Sequence, residues 1–395
     1  MLLRLFVSLR ETPAQKKSTT FTGIVFSIAV LNRCMGAPAL PLKHKDFLKV
    51  DKHYEEAAVA AHLLYVKDSE PGITRVKKGK GFAYYFQDKA IKTKKELDRI
   101  RKLVIPPAWM NVWICPLENG HIQATGLDLR KRKQYRYHEL WNKLRNETKY
   151  HRLYEFGKVL PKLRLQVEKD MAIKDLNQQK VLATIISLME RTYIRVGSNE
   201  YEKMNGSYGL TTLKDKHVAI TGDKILFSFK GKKGIEHHIS LKNKKLARMV
   251  KQCRDIPGKE LFQYYDADGQ RRSIDSGMVN HYIHEAAGSD FSAKDFRTWA
   301  GSVHALQAFR SLGEALTVSE NKKNIVAALD EVSKKLGNTR TVCKKYYVHP
   351  VLIKLYEENN LAGYLSELDK LEEPDNKTGL TAEERVLMKI LQQSV

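Results

Sequence analysis

The stretch HVAITGDKILFSFKGKKGIEHHI, running from His217 to Ile239, reads as a small antiparallel sheet set inside a helical chain. His217 to Ile220 and Lys224 to Lys230 flank Thr221-Gly222-Asp223, a turn. Ile225, Phe227 and Phe229 alternate with Leu226, Ser228 and Lys230, the period of a half-buried strand. Lys230-Gly231-Lys232-Lys233-Gly234 makes the next turn, and Ile235, His237 and Ile239 resume the alternation. The pattern predicts three strands with Lys232 at the tip of the second hairpin.

On both sides the period changes to that of a helix. Leu182, Ile185, Met189 and Tyr193 recur at helical spacing, and the pattern ends near Gly197. Ile325, Leu329, Val332 and Leu336 repeat it, with Gly337 as the stop. Helical patterns dominate from Glu147 onward. The preceding region is strand-rich. Gly79-Lys80-Gly81 opens an aromatic strand with Phe82, Tyr84 and Tyr85, Lys94 to Leu103 is helical, and Pro106-Pro107-Ala108-Trp109 breaks the chain. Val112, Trp113 and Ile114 form a strand, Asn119-Gly120 signals a hairpin, and His121 to Thr125 continues as its partner. Near the end, Glu372-Glu373-Pro374-Asp375 is a breaking linker, and Thr381 with Glu384 makes a capping box for a last helix carrying Val386, Leu387 and Ile390.

The first 45 residues differ in kind. An apolar run from Phe21 to Leu31 follows Arg4, Arg10, Lys16 and Lys17 and precedes Ala37-Pro38-Ala39, which mimics a secretory leader. The run falls short of the ~20 residues that a membrane span needs. A transit peptide or a start codon placed too far upstream fits as well, the latter best. The expected fold class is α+β, in four parts. These are an extension (1–50, disordered or targeting-like), a β-rich domain (51–146), a helical domain with the three-stranded sheet (147–366), and a linker with a C-terminal helix (367–395).

The 395 residues carry a formal charge of +24, which attracts polyanions, nucleic acid being the commonest large one. Charge alone leaves a ribosome-associated or membrane-surface protein open. Cys34, Cys115, Cys253 and Cys343 are scattered, with no C-x-x-C pair, and read as reduced thiols. His237, His238 and His349 lack carboxylates or cysteines at ligand spacing, so no metal site is expected. No P-loop or glycine-rich nucleotide motif is present, and no cofactor is expected.

Breaking a phosphodiester without a metal needs a nucleophile, cations around the phosphorus, and a proton donor for the departing oxygen. Arginine forks match phosphate oxygens bidentately. Arg195 lies at a helix end, Arg297 near a helix start, and Asn338 and Tyr347 in a later cluster. Among 69 Lys and Arg and 18 Tyr, each of these alone is more often a surface charge or a core ring. Their order and context carry the weight.

The order resembles that of the type IB DNA topoisomerases, especially the compact poxvirus and bacterial branch, from about Gly72 to Leu365. The segments that carry it are Pro106-Pro107-Ala108-Trp109, Gln123-Ala124-Thr125-Gly126-Leu127-Asp128 and Arg132-Lys133-Gln134-Tyr135-Arg136-Tyr137-His138, then Ile194-Arg195-Val196-Gly197 and Gly209-Leu210-Thr211-Thr212-Leu213. Phe229-Lys230-Gly231-Lys232, Lys294-Asp295-Phe296-Arg297-Thr298-Trp299, Leu336-Gly337-Asn338-Thr339 and Tyr347-Val348-His349-Pro350 complete it.

The resemblance implies roles. Arg195 and Arg297 would hold the scissile phosphate, Lys232 would protonate the 5′-oxygen, and Tyr347 would attack phosphorus to give a 3′-phosphotyrosyl link. Asn338 stands where poxviral and eukaryotic relatives have histidine. It can donate a hydrogen bond but carries no charge. Tyr346 competes with Tyr347, and Lys230 and Lys233 with Lys232. The Val-His-Pro segment favours Tyr347, and the place between Gly231 and Lys233 favours Lys232. Arg132, Lys133, Gln134, Tyr135, Arg136 and Tyr137 are the expected DNA-contact row, joined by Lys294, although a solvated basic edge strand would look the same.

The resemblance further implies a monomer forming a C-shaped clamp on duplex DNA, preferably supercoiled, and working without ATP or metal. The expected location is cytoplasmic, on the nucleoid or chromosomal DNA, with no membrane partner. A tyrosine site-specific recombinase is the nearest rival. Recombinases typically carry histidine three residues before the second arginine, where this chain has Lys294. A non-catalytic architectural protein would have no use for the whole set, and a metal-dependent nuclease would need clustered carboxylates.

Overall fold

The computed structural model describes residues 42–368 and 378–394. The leader-like run and the Glu372–Asp375 linker lie outside the described residues. The chain divides into two compact units, residues 1–145 and 146–395.

The first unit is built on a six-stranded antiparallel sheet in the order β3-β2-β1-β4-β5-β6. Its strands are β1 (Ile73–Lys78), β2 (Gly81–Phe86), β3 (Lys89–Ala90), β4 (Met110–Ile114), β5 (Ile122–Leu127) and β6 (Lys133–Tyr137). Gly79, at φ 56°, turns β1 into β2, a backbone region that glycine enters without steric cost. Ile73, Val112, Ile114 and Ala124 pack with Ile100 of the Lys94–Lys102 helix to form one core.

The Asn119-Gly120 hairpin expected from sequence is a longer connection. Ile114 pairs with Ala124 across it. The buried Gln123 amide organises the connection by donating to the carbonyls of Leu117, Glu118 and Gly120 at 3.2, 3.0 and 2.8 Å. A second cluster starts before residue 51. Phe47 and Val50 of the His44–Lys52 helix pack with Ala57, Ala58, Trp141 and Leu144.

The second unit is mostly helical around one core. The α+β reading holds, with a three-stranded antiparallel sheet of β7 (Val218–Thr221), β8 (Lys224–Lys230) and β9 (Glu236–Lys242) in sequential order. Ile225, Phe227 and Phe229 are buried, as their alternation requires. The Gln178–Thr192 helix is buried on nearly every side. It ends at Tyr193, in a left-handed conformation at φ 57°, four residues before Gly197. The Arg195 and Val196 carbonyls accept from the backbone of Leu210 and Thr211 (2.8 and 2.7 Å), so tertiary pairing ends the helix early.

The Val318–Leu336 helix buries Ile325, Leu329, Val332 and Leu336 and stops at Gly337, φ 57°. The expected capping box of Thr381 and Glu384 starts the Ala382–Gln392 helix. Glu384 also accepts from Arg164 in a fork (2.7 and 2.8 Å) and from the Trp299 indole (2.8 Å). That knot ties the last helix to the Ala293–Leu312 helix, two residues from Arg297. Among the described residues no helix is long and apolar enough to cross a membrane.

Candidate active site

Three turns of chain meet beside the sheet: the exit of the Gln178–Thr192 helix, the stop of the Val318–Leu336 helix, and the first turns of the Ala293–Leu312 helix. Ser292 opens the last of these with a capping box to Asp295 (2.8 and 3.0 Å). This places Arg297 with its guanidinium against the two helix ends. Arg297 is 5 % exposed. Its Nη2 donates to the Leu336 carbonyl at 2.7 Å and its Nη1 to the Tyr193 carbonyl. Its Nε is buried with no partner among the described residues.

Arg195 lies in the segment held by Gly209. A Cβ on Gly209 would come within 2.5 Å of the Arg195 carbonyl and 2.6 Å of Gly197, so the GLTTL motif packs here only with glycine at its head. Arg195 Nη2 donates to the Asn338 Oδ1 at 2.7 Å and to the Gly337 carbonyl at 3.4 Å. Burial, then the charge of Arg297, pushes its guanidinium down to about 10, while the Tyr347 phenol works the other way. Buried Arg297 and half-buried Arg195 are thus held close, with a neutral amide beside them, an arrangement that favours an anion.

Tyr347 caps the short Arg340–Tyr346 helix and is half-buried. The Arg297 guanidinium carbon lies 5.2 Å from its ring centre and the Lys149 amine 5.4 Å. Lys149 also donates to the Tyr346 carbonyl, and burial lowers its amine to about 8. Tyr346 is 40 % exposed and carries Lys345 over its ring at 5.4 Å. The structure therefore brings Tyr347, and not its neighbour, to the arginines.

Lys232 is exposed on the turn between β8 and β9, with its amine 5.7 Å from the Tyr201 ring centre. It lines a cavity of about 20 Å³ together with Arg195, Gly231 and His237. Lys230 and Lys233 do not line that cavity. Lys294 is exposed one helical turn before Arg297.

In the first unit the expected DNA-contact row divides by strand face. Lys133, Tyr135 and Tyr137 are exposed on one face of β6, the two rings stacked 5.7 Å apart. Lys133 pairs with Asp68 at 2.6 Å. Gln134 and Arg136 alternate to the other face and are tied to Asp128 (3.1 Å) and the Val104 carbonyl (2.8 Å). Arg132 is held by Asp128 at 2.8 Å. Sequence reading did not single out Lys149 or Gly301, which touch the tyrosine segment, nor a role for His237. For His237 a signal existed: an imidazole in register with Ile239 and Leu241 on the half-buried face of an alternating strand.

The catalytic-core model of eukaryotic DNA topoisomerase I matches residues 133–372, and the N-terminal-domain model of bacterial DNA topoisomerase IB matches residues 81–128. DNA topoisomerase 1B of Acanthamoeba polyphaga mimivirus is 36% identical over 296 residues, covering 73% of this chain and 88% of that protein. DNA topoisomerase 1B of vaccinia virus (strain Copenhagen) is 22% identical over 243 residues, 61% and 74% of the two chains. DNA topoisomerase 1 of rabbit fibroma virus is 25% identical over 251 residues, 62% and 75%. The chain belongs to the type IB DNA topoisomerases, enzymes of the type I class.

Proposed function

We propose that this enzyme relaxes supercoiled duplex DNA as a monomer, through a transient break in one strand, without ATP or a metal. The observation that carries the reading is the convergence of Arg195, Arg297 and Asn338 on the side of Tyr347.

In this scheme the phosphate sits between the two guanidiniums, and the unpartnered Nε of Arg297 offers it a further donor. The Tyr347 hydroxyl gives its proton to solvent water as its oxygen attacks phosphorus. The bond to the 5′-oxygen breaks, and that oxygen leaves with a proton from Lys232. A 3′-phosphotyrosyl ester and a free 5′-hydroxyl result. The duplex beyond the break swivels, and the 5′-hydroxyl attacks the ester to restore the strand. One phosphodiester replaces another, so no nucleotide is consumed. A phenol with a pKa near ~10 leaves more readily than a sugar alkoxide, which favours resealing. Lys133, Tyr135 and Tyr137 lie against the duplex, with Lys294 beside the scissile phosphate.

The test is relaxation of supercoiled plasmid in EDTA without ATP, with Tyr347→Phe alongside. Relaxation by the wild type and none by the variant is expected, with the covalent adduct mapped to Tyr347. A demand for magnesium or ATP, or activity surviving in the variant, would overturn the reading. Exchange of strands between two specific sites would mark a recombinase instead.

A further inference from the structure

His237 occupies a place that its own strand does not explain. It pairs with Phe229 across β8 and β9, and the two rings stack at 5.1 Å and 24°. One edge of the imidazole meets Gly231, where an added Cβ would lie 2.6 Å from Cδ2 and Nε2. The other edge meets Gly337, where an added Cβ would lie 2.5 Å from Cε1. Gly231 immediately precedes Lys232, and Gly337 immediately precedes Asn338. The ring is therefore wedged between the turn that carries the lysine and the helix stop that carries the phosphate-side amide. Both walls are glycine, so each backbone sits against the ring itself.

The small cavity beside it is lined by Arg195 and Lys232. Burial, then the charges of Arg195 and Arg297, holds the imidazole below its ordinary range, so it is an uncharged spacer at neutral pH. The turn is closed by its own backbone, with the Gly231 N–H donating to the Ile235 carbonyl at 2.7 Å and the Gly234 N–H to the Gly231 carbonyl at 3.1 Å, and His237 is the side chain that joins it to the Gly337–Asn338 segment. Lys232, Lys233 and Gly234 are exposed, and Lys233 and Gly234 adopt left-handed backbone angles of 65° and 76°.

We infer that His237 is a positioning residue, whose ring sets the distance between the Lys232 amine and the pocket formed by Arg195 and Asn338. The inference rests on the reading of Lys232 as the proton donor to the 5′-oxygen. The ring's shape does the positioning: it transmits where the Gly337–Asn338 segment lies to the hairpin turn. A catalytic group displaced by ~1 Å loses on the order of a hundredfold in rate.

The experiment compares single-turnover cleavage of two duplexes of the same sequence. One has the ordinary 5′-oxygen at the scissile phosphate and the other has sulfur at that bridging position. A thiol, with a pKa near ~8.5, departs as the thiolate and needs no proton. Lys232→Ala is expected to be slow on oxygen and restored on sulfur. His237→Ala should fall by roughly 30- to 100-fold on oxygen, yet stay within about threefold of wild type on sulfur. His237→Phe, which keeps a ring, should recover most of the oxygen rate. Rescue on sulfur also shows that the variant is folded. If His237→Ala is as slow on sulfur as on oxygen, or cleaves oxygen at the wild-type rate, the inference is overturned while Lys232 keeps its role. If Lys232→Ala is itself not rescued by sulfur, the donor reading fails and the inference falls with it.

Discussion

Gly301→Ala is the sharpest probe of how the tyrosine is held. Gly301 lies on the Ala293–Leu312 helix, one turn beyond Arg297, and the Tyr347 backbone runs directly over it. An added Cβ would sit 2.6 Å from the Tyr347 carbonyl oxygen, 2.9 Å from its Cβ and 3.0 Å from its carbonyl carbon. Carbon–carbon contacts are comfortable at about 3.5–4.0 Å, so the tyrosine segment has to retreat by roughly 0.5–1 Å. Ser302 resists that retreat, because its hydroxyl accepts from the His349 backbone at 3.1 Å, while its one proton is shared between the Thr298 carbonyl at 3.1 Å and the Tyr347 carbonyl at 3.4 Å. Two effects on stability oppose one another. Alanine in a helix interior is better than glycine by about 1 kcal/mol, while overpacking costs about 1–3 kcal/mol. The net change in stability should be about 2 kcal/mol or less, read as a modest shift in the urea midpoint. The effect on activity should be larger, because the proposed nucleophile moves relative to Arg195 and Arg297, and a displacement near 1 Å costs on the order of a hundredfold. Single-turnover cleavage should therefore drop by about that factor in a protein that still melts cooperatively. A Gly301→Ala enzyme that cleaves at the wild-type rate would refute the claim that this helix face positions Tyr347.

Two further tests concern buried charge. Burial pushes the Glu384 carboxyl up, but the Arg164 guanidinium and the Trp299 indole outweigh it and hold the group below its ordinary 4.5; Glu384→Gln should cost about 3–5 kcal/mol at pH 7 in urea unfolding. Because a depressed carboxylate stabilises above its unfolded value and ceases to as pH falls through its folded one, the gap between wild type and variant should narrow below pH 4.5, and a gap independent of pH would sink the assignment. Lys149 is the opposite case: burial lowers its amine from 10.5 to about 8, so between those values the unfolded chain binds a proton that the folded chain has lost. Wild-type stability relative to Lys149→Met should rise as pH climbs from 8 to 10.5, and parallel urea midpoints across that range would show that the amine is not buried against the tyrosine segment.

The parts of this protein that were legible in its sequence are those with local causes. The β7–β8–β9 sheet announces itself through two glycine turns and a period of two, and the Val318–Leu336 helix through its spacing and Gly337. The end of the Gln178–Thr192 helix was misplaced because its cause is remote: the backbone of Leu210 and Thr211 claims the carbonyls of Arg195 and Val196. Asn119-Gly120 looks like a two-residue hairpin until the Gln123 amide is seen gathering three carbonyls of a longer loop. On β6 the alternation that separates Tyr135 and Tyr137 from Gln134 and Arg136 was present in the sequence. Which face was already occupied depended on Asp128 and the Val104 carbonyl. Gly231, His237 and Gly337 meet across a hundred residues, and no spacing rule connects them.

The same contrast bears on the asparagine. A neutral side chain at 338 raises the question of how Arg195 and Arg297 are kept together in the free protein. Arg297 answers with backbone, since its guanidinium donates to the carbonyls at two helix ends, Tyr193 and Leu336. Those C-terminal carbonyls carry the negative pole of the helix dipole. Arg195 answers with the amide itself, through the Asn338 Oδ1 at 2.7 Å. A histidine at this position has no carbonyl oxygen, and a protonated one would add a third cation to a pocket where Arg297 already depresses Arg195. Asparagine presents an acceptor to Arg195 on one side and an amide donor on the other, the latter 3.4 Å from the Leu336 carbonyl. A donor so weakly committed is cheap to redirect, and a phosphate oxygen is a stronger acceptor than a carbonyl at that distance. In the proposed scheme the residue would hold Arg195 in place in the free enzyme and turn its NH₂ to the phosphate when DNA is bound. It would do both without changing the charge of the site.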